Sequence, residues 1–381
     1  MIYLDHAAAT PVSKKARLAM EPYFAELFFN PSAPYLPAKQ VKTDYRNAKD
    51  EIAHIIGAKG VDLVITAGAT ESVNLAFTVV ETGQEVLYLA TEHAAVRAAA
   101  EPHSHQEIAV DKTGRIDLLD LKAKITEKTA LISVALANNE IGTIQPIAEI
   151  AEIVKKVRME RLKDGNKTPL YLHSDASQAL NLLDINVARL GVDLLTINAA
   201  KLGGPKGVGA LYAAHQVVLR PLILGGGQER NLRSGTENVP GVMGFAAAAV
   251  ETKEHLNGNR KKYQRLVEIL RRELKKAPVE PIFLGNQKHK LANFLPVCFP
   301  GIDAERLIYK LEEKEVYLST GAACAASKGE KSHTLMAIGL SDEEIAGSLR
   351  ISLGVLNDEE NVQKAGELIC QAVAEELERT R

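Results

Sequence analysis

The chain has 381 residues, 46% of them apolar and 25% charged, with a formal net charge of -2. That length and apolar content suit two domains with large cores and exclude a disordered chain. A near-neutral balance with no long run of Lys or Arg argues against a polyanion-binding surface, so no direct nucleic-acid partner is expected.

Three cysteines, an odd number with no framework spacing, fit a reducing compartment rather than a disulfide scaffold. The start Met1-Ile-Tyr-Leu-Asp-His6 has no basic segment followed by an apolar one, and no apolar stretch is long and uninterrupted enough to span a bilayer. A cytoplasmic protein with no membrane partner is the expectation.

Residues 38–56 carry apolar positions at helical spacing, and Val61-Asp-Leu-Val-Ile-Thr66 reads as a short buried strand. A turn at Ala67-Gly-Ala-Thr70 leads into a helix over Glu71 to Val80. Strand candidates then recur at Glu85–Ala90, Ala130–Leu136, Pro169–His173, Asp193–Ile197 and Gly207–Tyr212, separated by helical or turn segments. This alternation predicts an α/β fold with a mostly parallel sheet flanked by helices. From Val239 to about Lys276 the pattern is helical, with a break expected at Asn257-Gly-Asn259 and basic stretches from Arg260 and Arg271 as solvated faces. Beyond it, Asn293–Phe299, Val316–Leu318 and Leu349–Leu353 read as strands of a smaller α+β unit, closed by a helix from Glu359 to Arg381.

Chemistry-bearing letters fall just past the C-terminal ends of the expected strands: Thr70, His93, Asn139, Asp175 and Lys201. In open α/β sheets that edge binds ligands. A carboxylate and an amine at neighbouring strand ends could grip a pyridoxal ring, Asp175 on the ring nitrogen and Lys201 as an imine on the aldehyde carbon. They could equally form a buried ion pair. Burial would lower the Lys201 pKa and favour the unprotonated nucleophile. Lys206, inside the Gly203–Gly207 turn rather than at a strand end, is a weaker candidate.

Gly68-Ala69-Thr70, where a strand passes into a helix, could present backbone N–H groups to a phosphate, or be an ordinary cap. His93 could lie on a flat ring and move protons, or be structural; the amides of Asn138, Asn139 and Gln178 could bond a ring hydroxyl, or close turns. Arg350 lies in an apolar strand, where its fork suits a carboxylate of a ligand or one of the nearby acids Asp342 to Glu344. Cys324 sits among small residues, Ser319 to His333, a stretch read as a mobile loop in which an exposed thiol would be a liability unless its thiolate is used. Cys298, in an apolar strand, and Cys370, on the apolar side of the last helix, read as buried.

Several motifs in order resemble those of cysteine desulfurases, pyridoxal-phosphate enzymes of the fold-type I, class V aminotransferase superfamily. They are Tyr3-Leu-Asp-His-Ala-Ala-Ala-Thr10, Thr66 to Ser72, Thr91-Glu-His93, Asn138 to Pro146, Asp175-Ala-Ser-Gln178, Lys201 to Gly207, Arg233-Ser-Gly-Thr236, the Cys324 segment and Ser348 to Gly354. The resemblance implies a large domain, residues 15–255, with a seven-stranded sheet holding pyridoxal 5'-phosphate. A smaller α+β domain, residues 1–14 and 256–381, would carry Cys324 and Arg350.

By position it implies Lys201 as the Schiff-base lysine, Asp175 on the pyridine nitrogen, His93 stacked on the ring, and Asn139 with Gln178 near the ring hydroxyl. Ala69 and Thr70 would hold the phosphate, aided by Asn198 and by Thr236 of a neighbouring subunit in a homodimer. Arg350 and Asn139 would bind the substrate. The implied activity converts L-cysteine to L-alanine, leaves a persulfide on Cys324, and passes the sulfur to an acceptor protein in iron-sulfur assembly, tRNA thiolation or thiocofactor synthesis. No metal site is expected. A related lyase or aminotransferase, for example one preferring selenocysteine, and a degenerate dimeric platform are the alternatives. Ala200 stands where the family has histidine and Asn198 where it has serine, so altered phosphate contacts are expected.

Overall fold

The computed structural model describes residues 1–320 and 331–380. The chain opens with β1 (Ile2–Tyr3). One sheet then gathers β2 (Leu63–Thr66), β3 (Glu85–Leu89), β4 (Ser104–Ile108), β5 (Thr129–Ser133), β6 (Tyr171–Asp175), β7 (Leu194–Asn198) and β8 (Gly209–Ala213). Its order is β2-β8-β7-β6-β5-β3-β4. Neighbours pair in parallel except around β8, which is antiparallel to both β2 and β7. The expected α/β architecture, seven strands and mostly parallel, is present.

The inner strands are apolar on both faces because both are covered. Leu63, Ile65, Leu87 and Leu89 enter one core and the alternating Val64, Val86 and Tyr88 the other, the period of two that a strand imposes. The edge strand β4, Ser-His-Gln-Glu-Ile, was not among the expected strands. Its first three residues are exposed and polar, so no apolar run marks it.

The helix Val239–Leu274 is continuous over 36 residues, and the break expected at Asn257–Asn259 does not occur. A glycine inside a helix costs about 1 kcal/mol relative to alanine. Burial of Leu256, Tyr263, Leu266, Leu270 and Leu274 on the same helix outweighs that. This helix packs against the helices Lys14–Met20, Leu36–Ile55 and Glu359–Thr380.

A second, antiparallel sheet has β9 (Ile282–Phe283), β10 (Val297–Cys298), β12 (Ser319–Thr320) and β13 (Ser348–Arg350), in the order β12-β13-β10-β9, while β11 (Val316–Tyr317) pairs in parallel with β1. The N-terminal segment continues along it: Asp5 bridges Ser352, and the Ala7 amide donates to Ser352 Oγ at 2.8 Å. The same segment reaches the edge of the large sheet, where Gln178 and Lys201 donate to the Ala7 and Ala8 carbonyls.

Because β8 is reversed, its start at Gly209 lies beside the C-terminal ends of β2 and β7, paired with Thr66 and Asn198. A Cβ on Gly209 would come within 2.9 Å of the Gly68 backbone. Glycine there lets the turn after β2 pack directly on the sheet.

Candidate active site

A cleft of about 710 Å³ opens at this sheet edge, and Ala69, Thr70, His93, Asn139, Asp175, Gln178, Asn198, Lys201 and Arg350 all line it. Nine positions spread over 282 residues of sequence share one cavity. A larger, more open groove of about 990 Å³ is lined by Arg158, Asp184, Arg189, Asp193 and Lys253, whose charges pair with one another.

The helix Ala69–Phe77 begins at Gly68, which has no side chain to cap it, so its first-turn amides face the cleft without that partner. The turn is held from below: Thr66 Oγ1 lies 2.7 Å from Ser72 Oγ, and Glu71 accepts the Ala67 amide at 2.8 Å. Glu71 also pairs with Arg233 Nε at 3.0 Å, tying the Arg233–Thr236 segment to this helix start. Thr236 itself is exposed and does not line the cleft.

Asp175 ends β6, with Oδ1 accepting the Ser177 amide at 2.8 Å. Two residues earlier His173 is fully buried, its Nδ1 2.8 Å from Ser133 Oγ and its Nε2 3.0 Å from Thr196 Oγ1. Burial pushes that ring down to about 4, so it stays neutral. Lys201 lies one short 3-10 turn beyond β7, over Ala199–Lys201, rather than on the strand end itself. Asn198 Oδ1 caps that turn by accepting the Ala200 amide at 3.0 Å. The Lys201 Nζ donates to the Ala8 carbonyl, which brings the amine to the N-terminal segment. Lys206 is exposed at the same cleft.

His93 caps the helix Ala94–Ala100, its Nδ1 accepting the Ala95 amide at 3.1 Å, so the cap and the cleft position coexist. The two adjacent asparagines separate in role. Asn138 is buried and closes the turn, accepting the Glu140 and Ile141 amides at 2.8 Å each, whereas Asn139 faces the cleft. Gln178 Nε2 donates to the Ala7 carbonyl at 3.0 Å.

Arg350 is 5% exposed, and its acid partner is not one of Asp342 to Glu344. Asp342 pairs with Lys331, and Glu344 caps Ser341. The partner is Asp5: its Oδ1 accepts from Arg350 Nη2 at 2.7 Å and Nε at 3.2 Å, while Nη1 reaches the Asn139 carbonyl at 3.4 Å. Glu92 was also missed. It is buried, accepts the Ala135 amide at 2.5 Å, and burial raises its carboxyl well above the ordinary range. The adjoining His93 was the signal that could have flagged it.

Cys324 lies outside the described residues. The chain leaves the described part after Thr320, where Ser319 pairs with Arg350 in register, and resumes at Lys331. Ser332 Oγ then donates to Glu140 Oε2 at 2.5 Å, next to Asn139. Both flanks of the segment are therefore anchored beside cleft residues.

An uncapped helix start for an anion, a carboxylate, a lysine amine and a buried guanidinium converge on one cavity, a donor set that fits a flat, phosphorylated aldehyde and an amino acid together. The aminotransferase class-V family model matches residues 2–365. The chain is 39% identical to cysteine desulfurase IscS 1 of Archaeoglobus fulgidus, over 97% of this chain and 96% of that one. It is 38% identical to the cysteine desulfurase IscS of Methanosarcina thermophila, over 98% and 92%. Among solved structures a NifS-like protein superposes with a TM-score of 0.89 at 31% identity, covering 98% of this chain and 99% of that one. A structure described as SspA in complex with cysteine gives 0.80 at 30%, covering 93% and 99%. With the family model spanning nearly its whole length, the chain belongs to the aminotransferase class-V family.

Proposed function

We propose that this protein is a cysteine desulfurase that binds pyridoxal phosphate, takes sulfur from L-cysteine as a persulfide on Cys324, and releases L-alanine. The observation that carries the reading is the convergence of Lys201, Asp175 and Arg350 on one cleft with the uncapped start of the helix Ala69–Phe77.

Bound there, pyridoxal phosphate supplies an electron sink for charge developing at the substrate's α-carbon. The protein's own groups do the rest. Asp175 would keep the ring nitrogen protonated, His93 would cover the ring, and Asn139 with Gln178 would bond the ring hydroxyl. The amides of Ala69 and Thr70, with Asn198, would take the phosphate. Asn198 also caps the Lys201 turn through Oδ1, so its amide nitrogen is the group left for the anion. Lys201 would hold the aldehyde carbon and is the group placed to take up and return the α-proton.

Arg350 receives the substrate carboxylate. Asp5 covers its Nε–Nη2 edge, leaving the Nη1–Nη2 edge for two parallel bonds. Cys324 supplies the thiolate: a new S–S bond forms as the substrate's Cβ–S bond breaks. Sulfur is oxidised, carbon is reduced to the methyl of alanine, and no outside oxidant is required. The other two thiols suit this badly, because burial pushes Cys298 and Cys370 each up to about 11.

We further propose a homodimer in which Thr236 serves the neighbouring site. Exposed apolar residues, among them Leu18, Phe24, Phe28, Leu36 and Leu224, leave surface for a second copy to cover. Residues 1–14 with 256–381 form the smaller unit in this reading, the reaction is cytoplasmic as the unpaired cysteines suggest, and the sulfur leaves to an acceptor protein. The protein given pyridoxal phosphate and L-cysteine should release alanine and accumulate a persulfide; Cys324→Ala should abolish transfer to a protein acceptor. Unchanged transfer by that variant would remove the mechanism.

A further inference from the structure

Arg350 and Lys201 are the two cations that would meet the opposite ends of an amino acid, and Asp5 interacts with both. Asp5 bonds Arg350 at 2.7 and 3.2 Å through a single oxygen and also feels the charge of Lys201. Its backbone is fixed to the extension of the strand that carries Arg350, through the bridge to Ser352, and Tyr3 Oη donates to its carbonyl at 2.8 Å. Acid and guanidinium are thus mounted on one rigid edge.

A planar guanidinium can take a carboxylate side-on, through Nε and Nη2, or end-on, through Nη1 and Nη2. Asp5 occupies the side-on edge. What it leaves is the end-on edge, whose Nη1 has a 3.4 Å contact with the Asn139 carbonyl. A buried guanidinium without Asp5 could rotate about its last torsions and carry an uncompensated charge.

We propose that Asp5 is the positioning residue for substrate recognition: it locks Arg350 so that a free α-carboxylate is received end-on, in line with Lys201. The substrate class is therefore α-amino acids with an unblocked carboxylate. Esters and simple amines lack the second anchor. This rests on the reading of Arg350 as the substrate's carboxylate partner. Burial pushes the Asp5 carboxyl above its usual range, and Arg350, ahead of Lys201, opposes that push.

The test uses the cofactor-loaded protein and L-alanine, the unreactive product, as the binding probe in calorimetry. Asp5→Ala should weaken L-alanine binding about thirtyfold, and Asp5→Asn, which keeps the accepting oxygen without its charge, by less, about threefold to tenfold. The visible band of the bound cofactor should be unchanged in both. With L-cysteine the loss should fall on KM, kcat staying within about twofold. Equal or tighter L-alanine binding in either variant overturns the proposal, and if Asp5→Ala does not fold, Asp5→Asn decides alone. The underlying reading fails separately: wild-type protein would then give no alanine from cysteine, or Arg350→Ala would bind L-alanine as wild type does.

Discussion

His6 is buried near Tyr263 of the long helix and Gly354, and neither ring nitrogen has a hydrogen-bond partner among the described residues. Burial pushes it down to about 4, with Lys262 adding to the shift, and His173 beneath Asp175 is pushed down to a similar value. A native pKa below the unfolded one means that the unfolded chain binds the extra proton first. The stability this neutral ring contributes is complete above about pH 6.5 and is lost as pH falls from there to about 4. The melting temperature should therefore drop across that window, and His6→Asn should flatten the drop; identical slopes in wild type and variant would contradict the assignment. Neither burial was readable from the letters, because a histidine in an N-terminal motif looks the same whether it faces solvent or Gly354, whose Cα lies so near that a Cβ there would sit 2.2 Å from the ring. Asp5 was hidden for a similar reason. Its partner Arg350 is 345 residues away, and nothing in local spacing links them. Asp175 was legible because it closes an apolar run at a strand end, and Lys201 because it follows such a run, one short turn past β7.

At the scale of elements, the reversed strand β8 shapes the anion-facing turn. Its Gly209 sits within backbone contact of Gly68, and neither backbone can yield as a side-chain tip could. Gly209→Ala should displace that turn, cost about 1–3 kcal/mol of stability, and weaken pyridoxal phosphate binding at least tenfold in a titration of the apo-protein. Cofactor affinity equal to wild type would show that the turn does not hold the phosphate. The alternation of helices and strands was readable for the inner strands, whose continuous apolar runs follow from burial on both faces. It failed at β4, a polar edge strand, and at Asn257–Asn259, where tertiary packing carries the helix past residues with poor helix propensity. The seventh strand was reached through family resemblance rather than through pattern.

For the whole molecule, the exposed apolar residues on the Lys14–Leu36 region and at Leu222–Leu224 predict a dimer in sedimentation at micromolar concentration, where a monomer would remove the shared-site reading. In that dimer Thr236→Ala should lower cofactor affinity several-fold without lowering the melting temperature, although Thr236 is not among the residues lining this cleft in its own chain. The central claim is that Lys201 stands at the aldehyde of a bound pyridoxal phosphate. Borohydride reduction of the yellow holoprotein, followed by mapping of the modified peptide, tests it most directly: the account predicts bleaching of the band and a pyridoxyl group on Lys201, whereas a label on Lys206 or no stable label would contradict it.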